Sequence, residues 1–594
     1  MTTSPSDKLP YRRVVVHDFE FSAPDDGDRP GPHTYVAREL RTGTEVRLLG
    51  DELTRSRAAP FPVDDDTLYV SYMGSAEAGC FKALGWCQPR HHLDLFVEHR
   101  VATNGMRLQT KNDLVGALTL RGMDAIDAAE KKLMQQLGRC GPPYDAETWR
   151  RMSDYCASDV DSLARLLPAM LPQIDLARAV YRGRFMLAAG AIEFNGVPMD
   201  LQFLDRLGRH LKSIGEALIQ RVDANFGVYD GTTFKAARWA EWLSDQHIAW
   251  PVLDSGALAL DEDTFKDMAR VDARIRPIHE LRATLAQIRG KPLHVGRDGR
   301  NRALTSAFSA VTSRNQPSNT ASIFGRPSWM RRAIRSRPGY GSAYLDWSQQ
   351  EWGVAAALSG DAAMLAAYET GDAYLAFAKM NGAVAHDAAK KSPGVGLIRE
   401  QYKGTGLGVL YGQGRDGVAL RIQRSPAHAR QLLEAHHRLF RKFWEWSDAA
   451  VSYAMLFGHI NTVFGWPVFL GREPNPRSLR NFPMQANSAE MLRLAACLAI
   501  ERGVNVCALV HDAFLIEERL DELSEKIAIA DGAMREASMI VLDGFPLRTV
   551  VKEILYPECF IDERGVGIWR QISGLLDEVD PPGPLVCVSE GALR

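Results

Sequence analysis

The strongest constraint in this sequence is a pair of apolar runs, far apart along the chain, that each deliver an aspartate. Ala343–Glu351 reads AYLDWSQQE: three apolar residues lead into Asp346, and a second acid, Glu351, follows in the polar stretch. Val504–Ile516 reads VNVCALVHDAFLI, a β-rich run holding His511 and Asp512, which is the pattern of a hairpin with the acid at its bend. A strand that ends in an acid carries it to the lip of a sheet on a rigid element. If the two runs are adjacent strands, Asp346 and Asp512 face each other. Carboxylates are the hard oxygen ligands of magnesium, which usually takes only one or two from the protein. Two metals bridged in this way lie roughly 3.5–4 Å apart. A strand-end aspartate that only caps the next helix is the commoner case, so the reading depends on what lies between the runs.

Between them lies Arg399–Gly412, REQYKGTGLGVLYG. Arg399, Lys403, Leu407 and Tyr411 recur every fourth residue and form one slowly drifting stripe on a helix. Two cations followed by an apolar and an aromatic residue suit a triphosphate with a base beyond it. The glycines at 404, 406, 408, 412 and 414 make no Walker loop, because G-x4-G-K-S/T is absent. They allow backbone to approach a nucleotide closely and ease a closing motion.

Taken in order, these residues resemble the motifs of the family-A DNA polymerases. The family's first palm motif, Asp-x4-Glu, is matched by Asp346 and Glu351. Its fingers motif, R-x3-K-x3-F/Y-G-x2-Y-G, is matched by Arg399, Lys403, Gly408, Tyr411 and Gly412, with Leu407 in place of the aromatic residue. His511–Asp512 match its His-Asp motif, with Ala513 where an acid often follows, and Arg477, Asn481 and Gln485 match R-x3-N-x3-Q. Thr312–Ser318, TSRNQPS, resembles the family's T-G-R-x-x-S segment. The resemblance implies a right-hand palm, fingers and thumb acting on primer-template DNA and dNTPs. It implies that Asp346 and Asp512 hold two Mg2+ ions, with Mn2+ able to substitute. It puts Arg399, Lys403, Leu407, Tyr411, Glu351 and Gln350 around the nucleotide, Glu351 as its sugar gate. It puts Arg314, Arg477, Asn481, Gln485 and His511 on the DNA.

A second acidic strand lies near the N-terminus. Residues 11–22 read YRRVVVHDFEFS, and alternation places Asp18 and Glu20 on one face with Phe19 on the other. Tyr155 and Asp159, four apart, share a face if their segment is helical. Together they resemble the 3′–5′ proofreading exonucleases of the DEDD type, which commonly precede family-A polymerase domains. The resemblance implies an RNase H-like domain with Asp18, Glu20 and Asp159 on two more metal ions and Tyr155 beside a water. For the fourth acid, in an N-x3-D pattern, Glu77 is favoured although Met73 stands where Asn is expected. Asp94 is the rival, and the corresponding acid of the family looks structural.

Composition narrows the setting. Over 594 residues the net charge is -2, so a DNA-binding face has to come from local clustering. The arginines at 326, 331, 332, 335 and 337 are the candidate phosphate contacts. Eight cysteines form no C-x-x-C pair, which excludes a zinc site or a disulfide framework of that kind. The first residues lack the apolar core of a secretory signal, no stretch is apolar enough to span a membrane, and no room precedes Asp18 for a 5′-nuclease domain. A monomeric cytoplasmic enzyme is expected, without a membrane partner.

The expected architecture is an α/β multidomain chain: an exonuclease-like domain over 1–180, a helical lead-in and thumb over 181–305, palm over 306–360, fingers over 361–458, and palm again over 459–594. Periodicity predicts helices over Leu201–Val222, Ile278–Arg289, Ala486–Ile500 and Glu518–Leu542, strand-like pieces near Leu547–Leu555, and a loosely held tail over 578–594. Leu407 and Ala513 leave one alternative: a DNA-binding exonuclease whose polymerase site is degenerate.

Overall fold

The computed structural model describes residues 9–23, 27–124, 128–288 and 293–581. The chain forms two compact units, one built from 1–197, 295–318 and 338–555, the other from 198–294, 319–337 and 556–594.

The first unit is built around a five-stranded and a four-stranded sheet. Strands β1 (Arg13–Ser22), β2 (Gly31–Glu39), β3 (Glu45–Leu49), β4 (Thr67–Ser71) and β5 (His91–Asp94) lie in the order β3-β2-β1-β4-β5. Strand β2 is antiparallel to both β1 and β3; β4 runs parallel to β1 and to β5. Parallel neighbours need a crossover, which α1 (Gly74–Ala83) supplies between β4 and β5. The helices that follow include α2 (Leu95–Thr103), α3 (Ala128–Cys140), α4 (Ala146–Met170) and α5 (Leu176–Asn195). Along β1 the two faces separate cleanly. Val14 and Val16 are buried with Cys156 and Val160 of α4, while Val15 and Phe19 are buried with Tyr35 and Phe81. The period of two therefore carries Asp18 and Glu20 to the α4 side, where Tyr155 and Asp159 are.

The second sheet is antiparallel, with β6 (Tyr340–Trp347), β7 (Val506–Val510), β8 (Ala513–Arg519) and β9 (Thr549–Leu555) in the order β7-β8-β6-β9. Between β6 and β7 the chain is mainly helical and includes α6 (Gln350–Ser359), α7 (Ala373–Met380), α8 (Val395–Leu410) and α9 (Pro476–Glu501); α10 (Leu523–Val541) follows β8 and packs on α9. The expected helix from Glu518 is corrected here. Residues 514–519 pair with β6, and the acids in that stretch have partners: Glu517 binds Arg300, and Glu518 accepts from the Asn505 N–H at 2.6 Å. With its charges satisfied the segment stays a strand, and the helix starts at Leu523.

Helix α5 ties the two sheets together. It packs on α1 and β5, and also on α9 and β7. A Cβ on Gly183 would lie 1.9 Å from the His92 carbonyl oxygen, and one on Gly190 would lie 2.3 Å from that of Ser75. These glycines, seven residues apart, let the helix seat against its neighbours. Arg182 adds a buried two-bonded ion pair to Glu98 of α2, at 2.7 and 2.8 Å. Phe185 and Met186 share one hydrophobic cluster with Phe96 and with Leu345 and Phe514 of the second sheet. The expected boundary at 180 thus falls inside a helix that both sheets share.

The other unit is mostly helical. Leu201–Asp223, Glu262–Val271, Arg276–Ile288 and Val566–Val579 surround Trp239, Phe265 and Trp329. Of the clustered arginines, Arg331 pairs with Asp562, Arg335 pairs with Asp200, and Arg332 lies over the Trp569 ring. The C-terminal helix belongs to this unit instead of extending the palm, and Arg206 and Arg221 bind Asp577 and Glu578 at its end. Of the expected loose tail, 582–594 lie outside the described residues, as does Arg289. Among the described residues no helix is long and apolar enough to cross a membrane.

Candidate active sites

The first site forms where β6 meets the β7–β8 turn. Asp346 is paired in register with Ala513, so Asp512, one residue earlier, stands at the same lip. His511 takes a left-handed conformation at the turn (φ 56°). The carboxyls of Asp346 and Asp512 hydrogen-bond each other. Both pKa values are raised, chiefly by burial, and Glu351 adds its charge to the pair. One oxygen of Asp346 is buried without a partner. Two acids forced together in this way are short of positive charge, and the donor set is all hard oxygen, so the residues fit divalent ions.

Glu351 lies in the first turn of α6, and Tyr411 Oη donates to its Oε1 at 3.0 Å. Burial, and then Glu351, push the Tyr411 hydroxyl pKa upward, while Arg314 pulls it down, which puts Arg314 in the same neighbourhood. Tyr411 ends α8 instead of continuing it. Gly412 follows at φ 66°, where a Cβ would lie 3.1 Å from Arg477. That approach brings α8 onto the start of α9, whose Asn475 cap and Pro476 fix the first turn. Arg477 is exposed, and Asn481 and Gln485 are half-buried, each one turn further along α9.

The cationic stripe of α8 is held by acids. Arg399 donates to Asp372 at 2.5 Å and to Glu400 at 2.6 Å and lies over the Tyr374 ring, whereas Lys403 stays half-exposed, 3.8 Å from Glu400. Leu407 packs against the core. Gln350, expected beside the nucleotide, is 2% exposed, and its Nε2 has no partner. A residue not singled out in the sequence is its neighbour Gln349, left-handed at φ 54°. Its amide donates to the Gly371 carbonyl at 2.9 Å and accepts from the Ala373 N–H at 2.8 Å, beside the Asp372 cap of α7. Only its place between two acids hinted at this bridge.

The second site lies on the α4 side of β1. One ligand oxygen from each of Asp18, Glu20 and Asp159 falls within 4.8 Å of the others. Tyr155, one turn before Asp159, hydrogen-bonds to it, and Cys156 Sγ donates to the Asp18 backbone and carboxyl oxygens at 3.3 and 3.5 Å. Lys131 Nζ stands 3.3 Å from both Asp159 oxygens. Sequence reasoning missed this lysine, because nothing in its local pattern points across to α4. Burial is the main cause that raises the pKa values of Asp18, Glu20 and Asp159; mutual repulsion raises Asp18 and Glu20 further, and Lys131 lowers all three.

Glu77 and Asp94 differ in what surrounds them. Glu77 is buried in α1, faces the charges of Asp18 and Glu20, and has one oxygen unpartnered. Asp94 caps α2 and accepts from four backbone N–H groups, those of Met73, Gly74, Phe96 and Val97, at 2.7–3.3 Å. Its oxygens are occupied by structure. Asp18, Glu20, Glu77, Tyr155 and Asp159 all line one cavity of about 770 Å³, together with Tyr72, Phe96, Lys111 and Lys131.

Residues 316–552 match the model of DNA polymerase family A. The thermostable DNA polymerase I of Thermus thermophilus is 27% identical over 222 residues, covering 35% of this chain and 26% of that protein. The DNA polymerase I of Chloroflexus aurantiacus is 24% identical over 409 residues, covering 62% of this chain and 42% of that protein. The matched stretches thus span between about a quarter and two-fifths of those relatives. A solved structure, the POL domain of Pol1 from M. smegmatis in complex with DNA primer-template and dNTP, shares the fold at a TM-score of 0.70 and 17% identity, covering 92% of this chain and 95% of that one. Polymerases of this family use divalent metal ions. Over residues 316–552 the chain is thus similar to DNA polymerase family A.

Proposed function

We propose that the chain is a DNA-templated DNA polymerase that adds deoxynucleotides to a primer 3′-hydroxyl and carries a 3′–5′ exonuclease site in its N-terminal part. The observation that carries the polymerase reading is the meeting of Asp346 and Asp512, with the Glu351–Tyr411 pair beside them. Asp346 and Asp512 would hold Mg2+, or Mn2+ in its place. Bound there, such ions lower the pKa of the attacking hydroxyl and stabilise the leaving pyrophosphate. Arg399 and Lys403 neutralise phosphate charge as it moves outward. For Arg399 this means leaving Asp372, a carboxylate that stands where an incoming anion competes for the same guanidinium. Glu351, fixed by the Tyr411 hydroxyl, fills the space at the sugar C2′. Arg314, Arg477, Asn481, Gln485 and His511 contact primer and template. Minor-groove acceptors barely differ among correct pairs, so side chains there test pair shape without reading sequence.

The nuclease reading rests on Asp18, Glu20 and Asp159 converging, with Tyr155 bound to Asp159 and Glu77 facing them. These buried carboxylates repel one another and so favour bound cations. The alternative, a nuclease with a degenerate polymerase site, rests on Leu407 and Ala513. Ala513 is buried in the sheet opposite Asp346 and leaves the aspartate pair in place, which favours the first reading. Primer extension by the purified protein with four dNTPs and Mg2+ tests it. Templated extension that vanishes in Asp512→Asn is the expected result; trimming without extension by the wild type would overturn it.

A further inference from the structure

Helix α3 brings a charge into the nuclease site that the motif residues do not account for. The side chains of Lys131 and Asp159 are only 13% and 11% exposed, and the ammonium lies 3.3 Å from both carboxylate oxygens. An ammonium has three donors, so two spent on Asp159 leave one. Gln135 and Arg139 follow at one-turn intervals on the same face of α3, and both line the cavity that Lys131 lines, as does Lys111. The row spans about 12 Å, slightly more than two helical turns. The acids of this cavity would repel a single strand, whose every phosphate is negative. A counterion needed only to relieve that repulsion has no reason to border the open cavity or to lead a row of cationic and amide side chains along its wall.

We infer that Lys131 is a substrate-binding residue of the nuclease site: tethered by Asp159, it meets the phosphate of the terminal nucleotide among the acids, while Gln135 and Arg139 guide the strand behind it. This rests on the nuclease reading above. The ligand class is a single-stranded 3′ end, bound by its backbone and without regard to sequence.

The full chain is used for the test. Binding of a fluorescent tetrathymidylate is measured by anisotropy in EDTA, where neither metal nor cleavage contributes; trimming and matched-primer extension are measured in Mg2+. Lys131→Met should weaken binding about tenfold or more. It should also lower the log–log salt slope by roughly 0.7, the value of one phosphate contact on a single strand. Lys131→Arg should restore most of the binding, and Arg139→Gln should lose less than Lys131→Met. Trimming should fall in parallel with binding, and extension should stay at the wild-type level in all three variants, which reports that they fold. Unchanged affinity and salt slope in Lys131→Met would overturn the assignment. So would faster trimming at limiting Mg2+, which would make the lysine a competitor of the metal. Asp18→Ala separates the two claims. If it trims like the wild type, the nuclease reading fails. If it abolishes trimming while Lys131→Met binds normally, only the lysine assignment fails.

Discussion

Single atoms decide much of the chemistry proposed for the palm. Glu351 is held by one hydrogen bond from Tyr411, so its carboxylate is fixed at the place proposed for the sugar C2′. Glu351→Ala should open that space and raise incorporation of ribonucleotides relative to deoxynucleotides by about tenfold or more, a loss of steric exclusion worth at least ~1.4 kcal/mol. Competing single-nucleotide insertion reads the ratio, and an unchanged ratio removes the gate from Glu351. The aspartate pair makes a pH prediction with a definite sign. Burial raises both pKa values, the Glu351 charge raises both further, and the Asp346 charge adds to the shift of Asp512, so the folded chain keeps a proton that an unfolded aspartate releases near pH 4. The folded state therefore binds more protons above that pH, and the pair's contribution to stability falls as pH rises. Asp512→Asn deletes one of the repelling charges. In EDTA at pH 8 it should melt about 1 °C above wild type, the shift expected for ~1 kcal/mol in a unit of this size, and the gap should close towards pH 4. In Mg2+ the wild type should gain stability that the variant does not. Scanning calorimetry of both proteins in the two buffers checks this; a variant that melts lower in EDTA at pH 8 would mean that the pair does not repel.

Among the elements, α5 joins the two sheets of the first unit. Its glycines are needed for close approach: a Cβ at position 190 would meet the Ser75 carbonyl at 2.3 Å and the Ala78 Cβ at 2.6 Å. Both belong to α1, which also carries Glu77. Gly190→Ala should cost about 1–3 kcal/mol through overpacking. By pushing α1 outward it should slow trimming more than extension. Denaturant melts give the first quantity, and the ratio of the two rates gives the second; equal losses in both activities would mean that the helix acts on the whole unit alike. Helix α8 was legible in the sequence because its four-residue stripe is periodic. The end of β8 was misread, since Glu517 and Glu518 look like surface helix residues until Arg300 and the Asn505 amide are known to meet them.

On the scale of the whole molecule, the two sites sit on different sheets. Asp18 lies on β1 of one and Asp512 at the β7–β8 turn of the other, each in its own side-chain surroundings. Removing one set of the proposed metal ligands should leave the other working. Asp18→Ala should still extend primers yet fail to remove a mismatched 3′ end, with trimming down about a hundredfold or more, the scale of losing a metal-activated water. Asp512→Asn should trim single strands and fail to extend. Assays of both variants on matched and mismatched ends decide this, and a variant that loses both activities would show the sites to be interdependent.

The acids at strand ends, the face that each occupies and the stripe on α8 follow from periods of 2 and 3.6, which are local properties of the chain. The resemblance to a polymerase family was readable for the same reason, since its motifs are short strings. Other features depend on residues that meet only after folding. Asp346 meets Asp512 because β6 pairs with β8 in one register, and Lys131 meets Asp159 because α3 packs beside α4. Arg399 is held by Asp372, and Arg331 and Arg335 by acids of their own unit. Local pattern sets which way a side chain points; long-range packing sets what it finds there, and for buried charges that partner determines their role.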